Sequence, residues 1–118
     1  MMDASTEELK KRQNSSRILM EKYTGRIPVI VTKKDGSSLP DLVQKKFLVP
    51  DDMTIGKFII MLRSRNTISA QQSIFMFIKQ GNKHIVVPYS ETFKAVYDNM
   101  KNEDGYLYLI YSDDSVFG

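Results

Sequence analysis

At 118 residues the chain is the size of one domain with a single core, and 42% hydrophobic against 26% charged residues is the balance of a soluble globular protein. The net charge of +3 is spread along the chain without a long basic run, which argues against a nucleic-acid surface and for acidic partner segments. With no Cys, a disulfide, a thiolate nucleophile and a zinc–sulfur site are excluded, and no apolar run reaches the ~18–20 residues of a membrane span. Nothing near the N-terminus reads as a secretory signal, so the expected location is cytoplasmic.

Ser5-Thr6-Glu7-Glu8 has the spacing of a capping box, with Leu9-Lys10-Lys11-Arg12 behind it. Acids first and bases last suit the helix dipole, and the stretch predicts a short helix. A second short helix is expected after Ser15 or Ser16, with Leu19 and Tyr23 four apart and Ile18 alongside. From Arg26 the pattern turns to strand: Arg26-Ile27-Pro28-Val29-Ile30-Val31-Thr32 is β-branched, and Asp35-Gly36 follows as a turn. Both of its faces are apolar, Ile27, Val29 and Val31 on one, Pro28 and Ile30 on the other. One face must meet a core helix, and the N-terminal helices are the available cover for the other.

Lys45-Lys46-Phe47-Leu48-Val49 is the next strand, closed by Pro50-Asp51-Asp52. Thr54 caps a helix over 55–65 in which Ile55, Phe58, Ile59 and Leu62 form a core stripe. Ile60 and Met61 lie off that stripe, so the helix carries more apolar surface than one face can bury. Strands are expected at Ile74–Ile78 and Ile85–Val87, either side of a Gly81-Asn82 turn. Ser90 is the expected cap of a helix bearing Phe93, Val96, Tyr97 and Met100, and Tyr106–Tyr111 is the last strand.

Two hairpins around a long helix make an α+β protein. With a right-handed crossover, the first and last strands lie parallel at the sheet centre. The expected fold is a ubiquitin-like β-grasp with two additional N-terminal helices. The expected organisation is an N-terminal helical arm (1–24), the β-grasp domain (25–111) and a flexible C-terminal tail (112–118). The tail ends in Ser115-Val116-Phe117-Gly118. A terminal Gly buries no side chain and is entropically costly to order. It suits a chemical handle, a carboxylate that can thread a narrow enzyme channel and be activated as an adenylate and then a thioester. The plain alternative is a frayed end.

Glu21-Lys22-Tyr23, Arg26 to Val31, Asp41-Leu42, Lys45 to Phe58, Leu62-Arg63-Ser64-Arg65 and Leu107 to Gly118 resemble the ubiquitin-like modifiers of autophagy, the GABARAP and light-chain-three type. The resemblance covers nearly everything after the first fifteen or so residues, and its Leu48-to-Phe58 block and Tyr111-to-Gly118 ending are highly specific. It implies that partner enzymes adenylate the Gly118 carboxylate, take the chain as a cysteine thioester and pass it to the amino group of phosphatidylethanolamine. Activating and conjugating enzymes and a delipidating cysteine protease are the implied partners, and the autophagosome membrane is the implied location after lipidation. Two acyl chains give stable attachment where one is marginal.

The resemblance also implies docking of aromatic-x-x-aliphatic motifs from cargo receptors. The aromatic anchor would enter a pocket of Leu19, Pro28, Lys46, Leu48 and Tyr106. The aliphatic anchor would enter one of Phe47, Val49, Pro50, Met53, Phe58 and Met61, near Leu62. Arg26 and Arg65 would meet flanking acids. Phe58, Val49 and Leu62 read equally well as ordinary core, whereas Met61, Lys46 and Leu48 read as surface. Gln44 stands where many members carry a lysine that gates the motif pocket, which implies altered selectivity. The N-terminal arm lacks the aromatic residues usual in the family. His84 has no companion ligand and Asp113-Asp114 reads as a solvated tail, so neither a metal nor a cofactor is expected, and the chain is not expected to be an enzyme. The alternative function is a ubiquitin-like interaction module that is never conjugated.

Overall fold

The computed structural model describes residues 4–114. In chain order it contains α1 (Ala4–Lys22), β1 (Arg26–Lys33), β2 (Lys46–Pro50), α2 (Ile55–Arg65), β3 (Phe75–Gln80), β4 (Lys83–Val86), α3 (Phe93–Met100) and β5 (Leu107–Ser112). The expected β-grasp is the fold that forms. The five strands make one sheet in the order β2-β1-β5-β3-β4. β1 and β5 run parallel at its centre, and β1–β2, β3–β4 and β3–β5 are antiparallel.

The N-terminal segment departs from expectation: one continuous helix replaces two short ones. No Gly or Pro interrupts residues 4–22. Ser15 and Ser16, which read as caps, spend their hydroxyls elsewhere. The Ser16 hydroxyl lies 2.6 Å from the Asp104 carbonyl and 3.1 Å from that of Gln13. Ser15 Oγ is hydrogen-bonded to the Tyr106 hydroxyl at 2.8 Å. The helix ends when Gly25, at φ +80°, turns the chain into β1.

Alternation along β1 and β2 sorts their side chains as the sequence requires. Ile27, Val29 and Val31 of β1, with Phe47 and Val49 of β2, enter the core beneath α2 and α3. The α2 stripe of Ile55, Phe58, Ile59 and Leu62 is buried against them. The rings of Phe47 and Phe58 meet edge-to-face at 5.3 Å, and Phe58 meets Phe93 of α3 at 5.1 Å. Leu39 and Leu42 anchor the 34–45 loop in the same core.

Helices α2 and α3 start face to face. Thr54 and Thr92 are their N-caps, accepting from Lys57 N–H and Ala95 N–H. Ile55 and Gly56 N–H donate to the Glu91 and Tyr89 carbonyls, and Phe93 and Lys94 N–H to those of Met53 and Asp51. Each helix thus satisfies first-turn donors on the segment leading into the other. Thr92, not Ser90, is the cap of α3.

Candidate functional site

β2 is the edge of the sheet and pairs only with β1. Val31 N–H donates to Lys45 C=O, and Val29 and Ile27 stand opposite Phe47 and Val49. In an antiparallel ladder the intervening residues face outward, so Lys46 and Leu48 turn their backbone polar groups to the open side. Pro28, opposite Leu48, sits where no ladder donor is needed. Both outward carbonyls are engaged by the chain's own side chains. Arg26 Nη1 donates to Leu48 C=O at 3.1 Å, and the Gln44 side-chain amide donates to Lys46 C=O.

A cavity lies on each side of this edge. The first, about 440 Å³, is lined by Leu19 of α1 with Pro28, Lys46, Leu48 and Tyr106. These five are the residues the resemblance implies for an aromatic anchor. Pro28 and Tyr106 form a buried floor, while Leu19 and Leu48 are half-buried walls and Lys46 is an exposed rim. Ser15, whose hydroxyl bonds that of Tyr106, completes the wall.

The second cavity, about 380 Å³, lies on the α2 side. Phe47, Val49, Pro50, Met53, Phe58 and Met61 all border it, with Arg26 and Arg65 at its mouth. Leu62 lies beneath, 1% exposed, and does not border it. Phe58 at 0% and Val49 at 3% are core residues that also form its floor. Met61, half-buried, is a true wall, whereas its neighbour Ile60 points to solvent at 69% exposure.

Gln44 borders both cavities, and a smaller space of about 260 Å³ that it shares with exposed Val43 and Arg65. The sequence marks its position but not its contact with the strand edge. Sequence reasoning also misses Asp104, a residue that ties down α1 and with it the Ser15 and Leu19 wall of the first cavity. Asp104 is 5% exposed. Its carboxylate accepts from Arg12 Nε at 3.2 Å, from Tyr106 N–H at 2.9 Å and from the Tyr108 hydroxyl. Burial first, and then this hydrogen bond, raises the Tyr108 pKa well above its ordinary value. The Asp104-Gly105 pair is a turn signal in sequence, but nothing local announces the network. Gly105, at φ +84°, leaves no room for a side chain, since a Cβ there would stand 2.3 Å from Ser16 Oγ.

Of the stretch expected as a flexible tail, Ser112 belongs to β5 and Asp113 is tied to the 37–38 turn. Gly118, the expected conjugation point, lies outside the described residues. Among the described residues, no cluster of three His, Asp or Glu could hold a metal ion, and no helix is long and apolar enough to cross a membrane.

The chain has relatives among known proteins. Residues 10–118 match the family described as "Autophagy protein Atg8 ubiquitin like". Autophagy-related protein 8d of Arabidopsis thaliana is 42% identical over 110 residues, spanning 93% of this chain and 88% of that protein. Autophagy-related protein 8B of Oryza sativa subsp. indica is 41% identical over 110 residues, spanning 93% and 89%. The crystal structure of Trypanosoma brucei ATG8 superposes with a TM-score of 0.76 at 31% identity, covering 99% of this chain and 100% of that one. The chain belongs to the Atg8 family of autophagy-related ubiquitin-like proteins.

Proposed function

We propose that this Atg8-family chain acts as a lipid-conjugated modifier. It is joined through Gly118 to phosphatidylethanolamine, and its β2 edge docks aromatic-x-x-aliphatic motifs of cargo receptors at autophagosomal membranes. The observation that carries the docking half is the placement of two cavities, each with apolar side chains and a polar or charged rim, on opposite faces of one open strand edge. An extended peptide that adds beside β2 presents residues i and i+3 to opposite faces, about 10 Å apart along the strand. Backbone groups of Lys46 and Leu48 would receive the peptide, the aromatic anchor would fall towards Leu19 and Tyr106, and the aliphatic one towards Met53 and Met61. Arg26 and Arg65 would meet acidic flanks.

The conjugation half rests on family membership, the family match running from residue 10 to Gly118. In this reading the chain is a modifier and not an enzyme. The nucleophilic cysteines belong to its activating and conjugating enzymes, and to the protease that removes it from lipid. Residues 1–24, 25–111 and 112–118 then act as arm, docking domain and tether, and the protein divides between cytoplasm and autophagosome membrane.

Incubation with activating and conjugating enzymes, ATP and phosphatidylethanolamine vesicles tests the reading by intact mass. The wild-type chain is expected to gain the mass of one phosphatidylethanolamine less one water, and the Gly118→Ala chain to gain none. An unmodified wild-type chain would favour the docking-only alternative.

A further inference from the structure

Among the described residues β5 is the last regular element, yet the chain is not released at its end. Lys34 N–H donates to Tyr111 C=O at 2.9 Å, which carries the β1–β5 pairing to the end of the strand. Beyond it the Asp113 carboxylate accepts from two hydroxyls at once: Ser37 Oγ on Oδ1 at 2.9 Å, and Ser38 Oγ on Oδ2. Ser38 N–H lies 3.4 Å from Oδ1, and Asp113 N–H lies 3.4 Å from Ser37 Oγ.

The receiving turn is itself fixed. Ser37 N–H donates to Lys34 C=O at 3.1 Å, and Leu39 N–H to Ser37 Oγ at 3.2 Å. Leu39 is 2% exposed in the core, and Lys33 Nζ donates to its carbonyl at 3.1 Å while pairing with Asp41 at 3.0 Å. Gly36 takes φ +84° at the bend. The Ser37 hydroxyl and the backbone turn that carries Ser38 are therefore held in place before Asp113 arrives, which lowers the ordering cost of the contact.

We infer that Ser37 and Ser38 form a clamp on Asp113 that fixes where, and in which direction, the C-terminal segment leaves the domain, and that added negative charge at Ser38 opens it. The inference rests on the reading of Gly118 as the conjugation point. With Asp113 held, the tether runs from Asp114 to Gly118 and can span at most about 16–18 Å. A tether with a fixed origin samples fewer directions, which raises the effective concentration of its end at an enzyme docked on the domain. Hydrogen bonds from Ser38 and Ser37 hold the Asp113 carboxyl below its ordinary pKa, so the clamp holds an ionised group at neutral pH. A second anion at exposed Ser38 would face that carboxylate directly. Ser37 and Ser38 are positioning residues, acting on the reacting carboxylate through Asp113.

The test compares the wild-type chain with Ser38→Asp, Ser38→Thr and the transposed double variant Ser38→Asp/Asp113→Ser. Amide exchange at Asp113 and Asp114 is followed by NMR. KM and kcat for thioester formation on the activating enzyme are measured on the same proteins. Ser38→Asp is expected to speed exchange at Asp113 about tenfold and to raise KM about three- to tenfold with kcat unchanged. The Thr variant and the transposed pair are expected to behave as wild type. Unchanged exchange in Ser38→Asp would overturn the clamp, and faster exchange at constant KM would overturn its positioning role. If the wild-type chain forms no thioester, the conjugation reading fails, and the exchange rates alone decide whether the clamp exists.

Discussion

Gln44 and Arg26 hydrogen-bond the two outward carbonyls of β2 from within the chain, so an incoming strand meets acceptors that are already engaged. The two contacts differ in how a peptide can release them. Gln44 is neutral and exposed, and a peptide N–H must simply outcompete its amide. A net hydrogen bond is worth roughly 0.5–1.5 kcal/mol, less at an exposed site. Gln44→Ala is therefore expected to tighten motif binding about two- to fivefold by calorimetry. Arg26 carries charge, and an acidic residue flanking the motif would draw its guanidinium off the Leu48 carbonyl while vacating the acceptor the peptide needs. Arg26→Ala is accordingly expected to weaken acid-flanked peptides and flatten their salt dependence, while leaving acid-free peptides unchanged or slightly tighter. Equal loss on both peptides would show that Arg26 only shapes the cavity. The sequence places both residues at the site, yet a Gln between loop and strand carries no signal that it bonds the strand's own edge.

At the scale of elements, what periodicity encodes was legible and what tertiary partners decide was not. The α2 stripe at i, i+3, i+4 and i+7 is buried as spaced, and the two apolar faces of β1 required the cover that α1 supplies. The parallel placement of β1 and β5 at the sheet centre followed from two hairpins joined by a right-handed crossover. By contrast, Ser15 and Ser16 read as a helix start because isolated serines compete for backbone groups. Here Tyr106 and Asp104, about ninety residues downstream, take those hydroxyls, and the helix runs on. The aromatic-side cavity depends on that docking, since Leu19 and Ser15 reach it from α1. Asp104→Ala would leave the Tyr108 hydroxyl and Arg12 without their carboxylate partner in a part-buried setting. The expected cost is about 2–3 kcal/mol in denaturant unfolding. Faster amide exchange through α1 and loss of aromatic-anchor affinity should accompany it, with the aliphatic cavity intact. A variant that lost stability but kept α1 protected would place the effect elsewhere.

Across the whole molecule, the sheet works as a partition between α1 on one face and α2 with α3 on the other. Three tyrosines near its central strand report on it. Burial is the leading cause that raises the pKa of Tyr97, Tyr108 and Tyr111 above the ordinary 10.0. The folded chain then keeps protons that the unfolded chain releases above about pH 10, so unfolding becomes more favourable as pH rises. Their contribution is fully present below that pH and is lost as pH climbs towards the raised values. The urea midpoint is expected to be insensitive to these tyrosines up to about pH 9, and to fall beyond 10 by less in Tyr108→Phe than in wild type.

For a peptide that adds beside β2, the same partition sets a spacing rule. Because the two cavities open on opposite faces of the β2 edge, two anchors can be seated together only if their positions along an extended peptide differ by an odd number. One residue is too short to clear the strand, and five overshoot cavities that share Gln44, Phe47 and Leu48 as a common boundary. Three fits. In a peptide series with the aromatic and aliphatic residues two, three and four positions apart, the spacing of three is expected to bind best. Each even spacing forfeits one anchor, worth roughly 1.5–3 kcal/mol or about ten- to a hundredfold in affinity. Both Met61→Ala and Leu19→Ala should weaken the three-spaced peptide, whereas an even-spaced peptide that seats only its aromatic anchor should respond to Leu19→Ala alone and one that seats only its aliphatic anchor to Met61→Ala alone. If spacing had no effect, the peptide would not be adding as a strand, and the cavities would have to be filled by a helix or a turn lying across the edge.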